Sequence, residues 1–229
     1  MAGADRTHYD EAMLSIEIVS DFICPWCFIG LRRLTAAIAE VRRDIPDFTC
    51  EKRWRPFFLN PDMVPEGVPY MAFMEGKFGG RPAVDALFER VRAAGRPYGI
   101  DYAFEKIERR PSTLLAHRLI HRVQMESDAE PLVERLFAAQ FQHGASIGDL
   151  ATLVRLAAEC GHPPGETEDY LASEQDADEV RAMARAFRAK GISMVPSFIV
   201  DGRQIVVGAE NPAVLAALIR RMLDTQENR

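Results

Sequence analysis

The stretch Leu14-Ser15-Ile16-Glu17-Ile18-Val19-Ser20-Asp21-Phe22-Ile23-Cys24-Pro25-Trp26-Cys27 decides how the rest of the chain is read. Leu14, Ile16, Ile18 and Val19 form a short, largely β-branched run that predicts a buried strand stopping at Ser20-Asp21. Pro25 suits the first turn of a helix, and Ile29, Leu34, Ile38 and Val41 recur at helical spacing to about Arg43. A Cys-x-x-Cys pair is therefore expected at a strand-to-helix junction. On a helical first turn the two sulfurs fall within disulfide reach, and the unpaired N–H groups and positive dipole end favour a thiolate. Cys24, at the terminus itself, reads as the nucleophile. Cys27, one turn in, reads as the less exposed thiol that attacks a mixed disulfide from within the protein.

Working outward, Phe48 to Trp54 sets Phe48 and Cys50 against Thr49, Glu51 and Arg53, a second strand with one buried face. From Asn60-Pro61 to about Ser173 the pattern becomes helical, with segments near 69–78, 81–94, 112–126, 129–142 and 149–160. Ser146 with Asp149 resembles a capping box for the last of these, and Gly161 fits its stop. A helix at 174–190 closed by Gly191 follows, then strands from Ser197 to Val200 and Gln204 to Val207 about an Asp201-Gly202 turn. Asn211 as N-cap and Pro212 open a last helix to about Leu223, while residues 1–12 read as a loose tail. The order is β-α-β, a helical block, then α-β-β-α. A right-handed crossover makes the first two strands parallel, and the terminal hairpin completes a four-stranded sheet with helices on both faces.

At ~150 residues per domain, 229 residues make one enlarged domain rather than two large ones. The net charge of −6, with arginines interleaved among acids, supplies no broad positive face, which disfavours a nucleic-acid partner. No stretch reaches the ~20 apolar residues of a membrane span, and the mixed-charge N-terminus lacks a signal-peptide pattern, so a soluble cytoplasmic chain is expected. Four cysteines are too sparse for a disulfide-stapled secreted scaffold. In a reducing compartment a close pair means redox chemistry or metal. Zinc would need ligands from unrelated places, because Cys50 and Cys160 are single, and both of these read as inert core thiols. His117 and His121 stand i, i+4 on a helix, but Arg118 occupies the position where a zinc-protease motif needs Glu, so they read as surface or core histidines. Asp21 is either a strand terminator or a carboxylate that opposes the helix dipole at the thiolate. Trp54, Phe57 and Phe58 read as core and sheet-edge packing, with part of the run available to line a groove. In Val195-Pro196-Ser197-Phe198 the proline precedes a returning strand, which fits an ordinary trans strand start or a tight turn with a cis bond.

Taken together, Ser20 to Cys27, Arg55-Pro56-Phe57-Phe58-Leu59, Ala116-His117-Arg118, Val195-Pro196-Ser197-Phe198 and Val207-Gly208-Ala209 resemble the DsbA family of thioredoxin-fold oxidoreductases. Within that family they are similar to the cytoplasmic FrnE-like branch, itself related to 2-hydroxychromene-2-carboxylate isomerases and kappa-class glutathione transferases. The resemblance spans about Leu14 to Leu223. It implies an α/β chain: a thioredoxin fold with a large all-helical insertion after the second strand, the thioredoxin-like part at 13–61 and 174–225 and the insertion at 62–173. It further implies a cis Val195–Pro196 bond against the pair, Cys24 as nucleophile, Cys27 as resolving thiol, and Pro25, Trp26, Val195 and Pro196 at the substrate. The isomerase and transferase relatives carry Ser at the position of Cys24 and use glutathione as cofactor. Cysteine at both ends of the motif therefore favours dithiol exchange. Trp26 stands where the periplasmic oxidant has His, so a strong oxidant's potential is not carried over.

The expected function is thiol–disulfide exchange on protein or low-molecular-weight disulfides, with no cofactor beyond the chain's own cysteines, no metal, and glutathione open as a substrate. One rival is a glutathione-dependent isomerase or transferase. Another is a chaperone-like module that binds through an apolar groove without turnover.

Overall fold

The computed structural model describes residues 13–227, so the tail read at 1–12 lies outside it. β1 (Leu14–Ser20) leads into α1 (Pro25–Asp44), and β2 (Cys50–Pro56) returns parallel to β1, with Leu14 opposite Cys50 and Ser20 opposite Pro56. The chain then runs through a two-residue ladder of β3 (Val68–Pro69) with β4 (Arg109–Arg110), with α2 (Tyr70–Phe78) and α3 (Arg81–Gly95) between them. Next come α4 (Leu114–Glu126), α5 (Glu130–His143), α6 (Leu150–Glu159), α7 (Pro164–Ala172) and α8 (Ala177–Ala189). β5 (Ser197–Val200), β6 (Gln204–Val207) and α9 (Pro212–Glu227) complete the chain.

The main sheet has the order β2-β1-β5-β6, with β5 antiparallel to both β1 and β6. Alternation along β1 feeds both faces. Leu14, Ile16 and Ile18 enter the cluster that holds α1 and α9, while Val19 joins Phe57, Phe187, Ile192 and Ile199 on the α8 side. Burying such side chains contributes about 1.5–3 kcal/mol for each large one, while Ser15 and Glu17 at the alternate positions stay half-buried. The β5–β6 turn places Asp201 and Gly202 at φ 51° and 64°, backbone that Asp and Gly reach at low cost. Asp201 also ties the hairpin to β1: its N–H donates to Ser15 O at 2.9 Å, and its Oδ1 accepts from Ser15 N–H at 3.1 Å.

Several expectations need correction. α7 was not anticipated. It starts at Pro163-Pro164, and its C-terminal end is capped from another element: the buried Arg118 guanidinium donates to the carbonyls of Tyr170, Leu171 and Gln175 at 2.9, 3.2 and 2.8 Å. A cation there meets the negative end of the helix and satisfies carbonyls that have no partner within it. Asp149, not Ser146, is the N-cap of α6, its carboxylate accepting from Thr152 N–H at 2.8 Å. β2 begins at Cys50 rather than Phe48, and its first half is only partly covered, because Cys50 is half-buried and Lys52 pairs with Glu130 of α5. Cys160 is likewise half-buried. α9 runs on to Glu227, past Leu223.

Candidate functional site

Cys24 is the N-cap residue of α1, with extended backbone (φ −99°, ψ 109°), and Pro25 holds the first helical position. Cys24 N–H donates to Asp21 O at 2.9 Å and Cys27 N–H to Cys24 O at 3.0 Å, so the motif is wound tightly onto the end of β1. Both thiols are free, and their side chains lie side by side at the start of α1. Both are also buried, Cys24 at 6% exposure and Cys27 at 2%, so exposure separates them less than their positions suggested. Burial, the contact with Cys24 and the charges of Cys24 and Asp21 push the Cys27 thiol well above its ordinary pKa.

The Val195–Pro196 bond is cis and lies against the pair. Cys24 Sγ donates to Val195 O at 3.7 Å, a contact that a thiolate would give up. The proline ring reaches α1 because residue 30 is glycine: a Cβ there would stand 2.7 Å from Pro196 Cγ and 3.2 Å from Phe198 Cζ. Beside this contact opens a groove of about 400 Å³ lined by Trp26, Met194, Val195, Pro196, Val207 and, from α3, Arg90, whose guanidinium sits 5.8 Å from the Trp26 ring. Of the four residues expected at the substrate, three line this groove. Pro25 does not; its carbonyl accepts from Tyr102 Oη at 2.6 Å.

Two cations from the helical block stand near Cys24. Lys77 of α2 and the buried Arg110 of β4 both lie within charge range of its sulfur. Arg110 stacks 4.6 Å from the Phe73 ring and donates to Asn60 Oδ1 at 2.8 Å, which fixes its position. An electropositive, helix-capping position is the setting in which a thiol exchanges. These cations, like Arg90, carry no local sequence signal: each is one arginine or lysine on an otherwise ordinary stretch.

On the inner side Asp21 is fully buried, its Oδ2 accepting from Leu59 N–H at 2.7 Å. Its Oδ1 lies 3.5 Å from His117 Nε2, too far for a good N–H···O bond. His117 is thus a core residue, with Nε2 also 3.2 Å from Phe57 O. His121 is half-buried, and its donor atom gathers with those of Asp176 and Glu179 within 4.8 Å of one another. Trp54, Phe57 and Phe58 are buried away from the groove.

A mixed four-stranded sheet, a Cys-x-x-Cys helix start and a facing cis-proline define a thioredoxin-fold protein of the DsbA kind. The chain belongs to the DSBA-like thioredoxin domain family, whose model matches residues 15–220. It is 27% identical over 206 residues to the uncharacterized protein YwbO of Bacillus subtilis (strain 168), covering 89% of this chain and 94% of that one. Among solved structures it is similar to a probable DsbA oxidoreductase, SCO1869 from Streptomyces coelicolor, at 28% identity and TM-score 0.82, covering 91% and 89% of the two chains. The cytosolic disulfide reductase DsbM from Pseudomonas aeruginosa with GSH shares the fold at 17% identity and TM-score 0.64, covering 92% and 99%. No helix among the described residues is long and apolar enough to cross a membrane.

Proposed function

We propose that the chain is a thiol–disulfide oxidoreductase in which Cys24 attacks a substrate disulfide and Cys27 resolves the mixed disulfide. The observation that carries this reading is the placement of Cys24: at the positive end of α1, in contact with Cys27 and with Val195 O, among Lys77 and Arg110. Likeness to a probable DsbA oxidoreductase supports it. Trp26, Val195 and Pro196 form the wall along which a peptide or small-molecule disulfide lies. The reading includes the thioredoxin-like part at 13–61 and 174–225, the insertion at 62–173, action in the cytoplasm, and glutathione as a reductant or substrate.

Insulin disulfide reduction and glutathione conjugation to a chloronitrobenzene, measured side by side, test it. The protein should accelerate the first, lose that activity in Cys24→Ser, and leave the second at background. Conjugation that survives Cys24→Ser would point to a transferase. Suppression of aggregation without disulfide turnover, unchanged in Cys24→Ser, would point to a binding module.

A further inference from the structure

The helical block touches the backbone of the Cys-x-x-Cys motif through one side chain, Tyr102, which lies between α3 and β4 and is 3% exposed. Its ring is stacked on Phe104 with centroids 5.0 Å apart, and meets Phe28 and Phe141 edge-on at 6.3 and 5.6 Å. α3 leaves room for it because residue 95 is glycine: a Cβ there would stand 2.6 Å from Tyr102 Cε2. Arg92 Nε donates to Tyr102 O at 3.1 Å, which holds the backbone as well. A ring clamped in this way delivers its hydroxyl to one place, Pro25 O, at 2.6 Å.

Pro25 O belongs to the peptide unit that carries Trp26 N–H. With Cys24 as N-cap and Pro25 first in the helix, Trp26 holds the second position, where the side chain of a cap residue finds its donor. Its neighbours offer none. Pro25 has no N–H, and Cys27 N–H donates to Cys24 O at 3.0 Å. As a thiol, Cys24 makes no side-chain cap bond and turns its proton to Val195 O at 3.7 Å. Once that proton is gone the sulfur becomes an acceptor, and Trp26 N–H is the helix-start donor left for it. A hydrogen bond accepted at the carbonyl of a peptide polarises that peptide and makes its N–H a better donor. The Tyr102 hydroxyl therefore favours the thiolate over the thiol, which does not use the donor. Burial and the charges of both sulfurs hold the phenol proton well above its ordinary range, so Tyr102 stays a donor. The other charged or titratable groups toward Cys24 are Cys27 from α1, Lys77 from α2 and Arg110 from β4, with Arg90 of α3 over the Trp26 ring. Tyr102→Phe alters none of them.

We propose, on the exchange reading above, that Tyr102 is a positioning residue: through the Pro25–Trp26 peptide it strengthens the donor that meets the Cys24 thiolate, and so favours the reduced pair. In the balanced reaction two glutathione thiols give two electrons to the Cys24–Cys27 disulfide, and glutathione disulfide forms. The pair opens to the Cys24 thiolate and the Cys27 thiol; of the two protons released, one goes to Cys27 and the other to solvent.

The test equilibrates the full chain with mixtures of glutathione and its disulfide at about pH 8.5, where an ordinary thiol is already half ionised. Acid quench, alkylation and mass spectrometry read the oxidised fraction. Tyr102→Phe keeps the ring and removes the donor. Its equilibrium constant for reduction should be about two- to fivefold lower than the parent's. Tyr102→fluorotyrosine, in which the ring fluorine makes the hydroxyl a stronger donor, should move the constant above the parent's. A constant in Tyr102→Phe equal to the parent's or higher overturns the proposal, even with a lowered Tm, because the bond is then a structural tie alone. A fall in both variants overturns it too, since that marks lost packing. Should Tyr102→Phe fail to fold, the fluorotyrosine protein decides: a constant no higher than the parent's overturns the role. Failure of the parent to form a Cys24–Cys27 disulfide in any mixture would instead overturn the exchange reading, and this role with it.

Discussion

Cys24 and Cys27 differ less in exposure than in what surrounds them. Cys24 stands at the start of α1 beside a carbonyl and near two cations; Cys27 meets the core, a second sulfur and a carboxylate. With iodoacetamide at neutral pH and peptide mapping, the reduced protein should be labelled at Cys24 first. Cys27 should react only well above the ordinary thiol range, about pH 8.5, or after unfolding. Labelling of both thiols at the same rate would contradict this account of the site. The pair itself was legible in the sequence because its chemistry is local: four residues at a strand-to-helix junction carry the whole signal. The contact of Asp21 with His117 was not. It joins the end of β1 to α4, and neither residue stands in a pattern that names the other.

Most elements could be read from periodicity, because α1, α3 and α8 each bury a regular apolar stripe. α7 escaped that reading for two physical reasons. Pro163-Pro164-Gly165 looks like punctuation, yet a proline at a first helical position costs little, and the stabilising cap comes from Arg118 on a different helix. The close approach of α1 to the Pro196 loop hangs on a single missing side chain. Gly30→Ala would ordinarily favour a helix by about 1 kcal/mol, but here its methyl meets Pro196 Cγ at 2.7 Å. Overpacking should win, with a net loss of about 1–3 kcal/mol in chemical denaturation and slower insulin reduction as the loop is pushed from Cys24. A Gly30→Ala protein as stable and as active as the parent would show that this contact can yield.

At the scale of the molecule, buried acids and bases set a pH limit. Cys27, Tyr70, Tyr102 and Tyr170 all have their pKa values raised, chiefly by burial. Each keeps its proton in the folded chain to higher pH than in the unfolded chain, where release begins near about pH 8.5 for thiols and about pH 10 for phenols. Above those values the unfolded state binds fewer protons, so stability present below about pH 8.5 declines as pH rises. Lys52 and Lys77 are shifted the opposite way and offset part of the loss at the alkaline end. The Tm of the reduced protein, followed by circular dichroism, should be level near neutrality and fall from about pH 9 upward. A Tm that holds or climbs there would refute the assignment. Sheet order carries a different consequence, one of time. Val195 O, which covers Cys24, lies 171 residues further along the chain. At roughly 5–20 residues per second of synthesis, Cys24 and Cys27 emerge about 10–35 seconds before their lid exists. Every nascent copy therefore passes through an interval in which its reactive thiols meet the cell uncovered, open to whatever oxidants and neighbouring chains surround the ribosome.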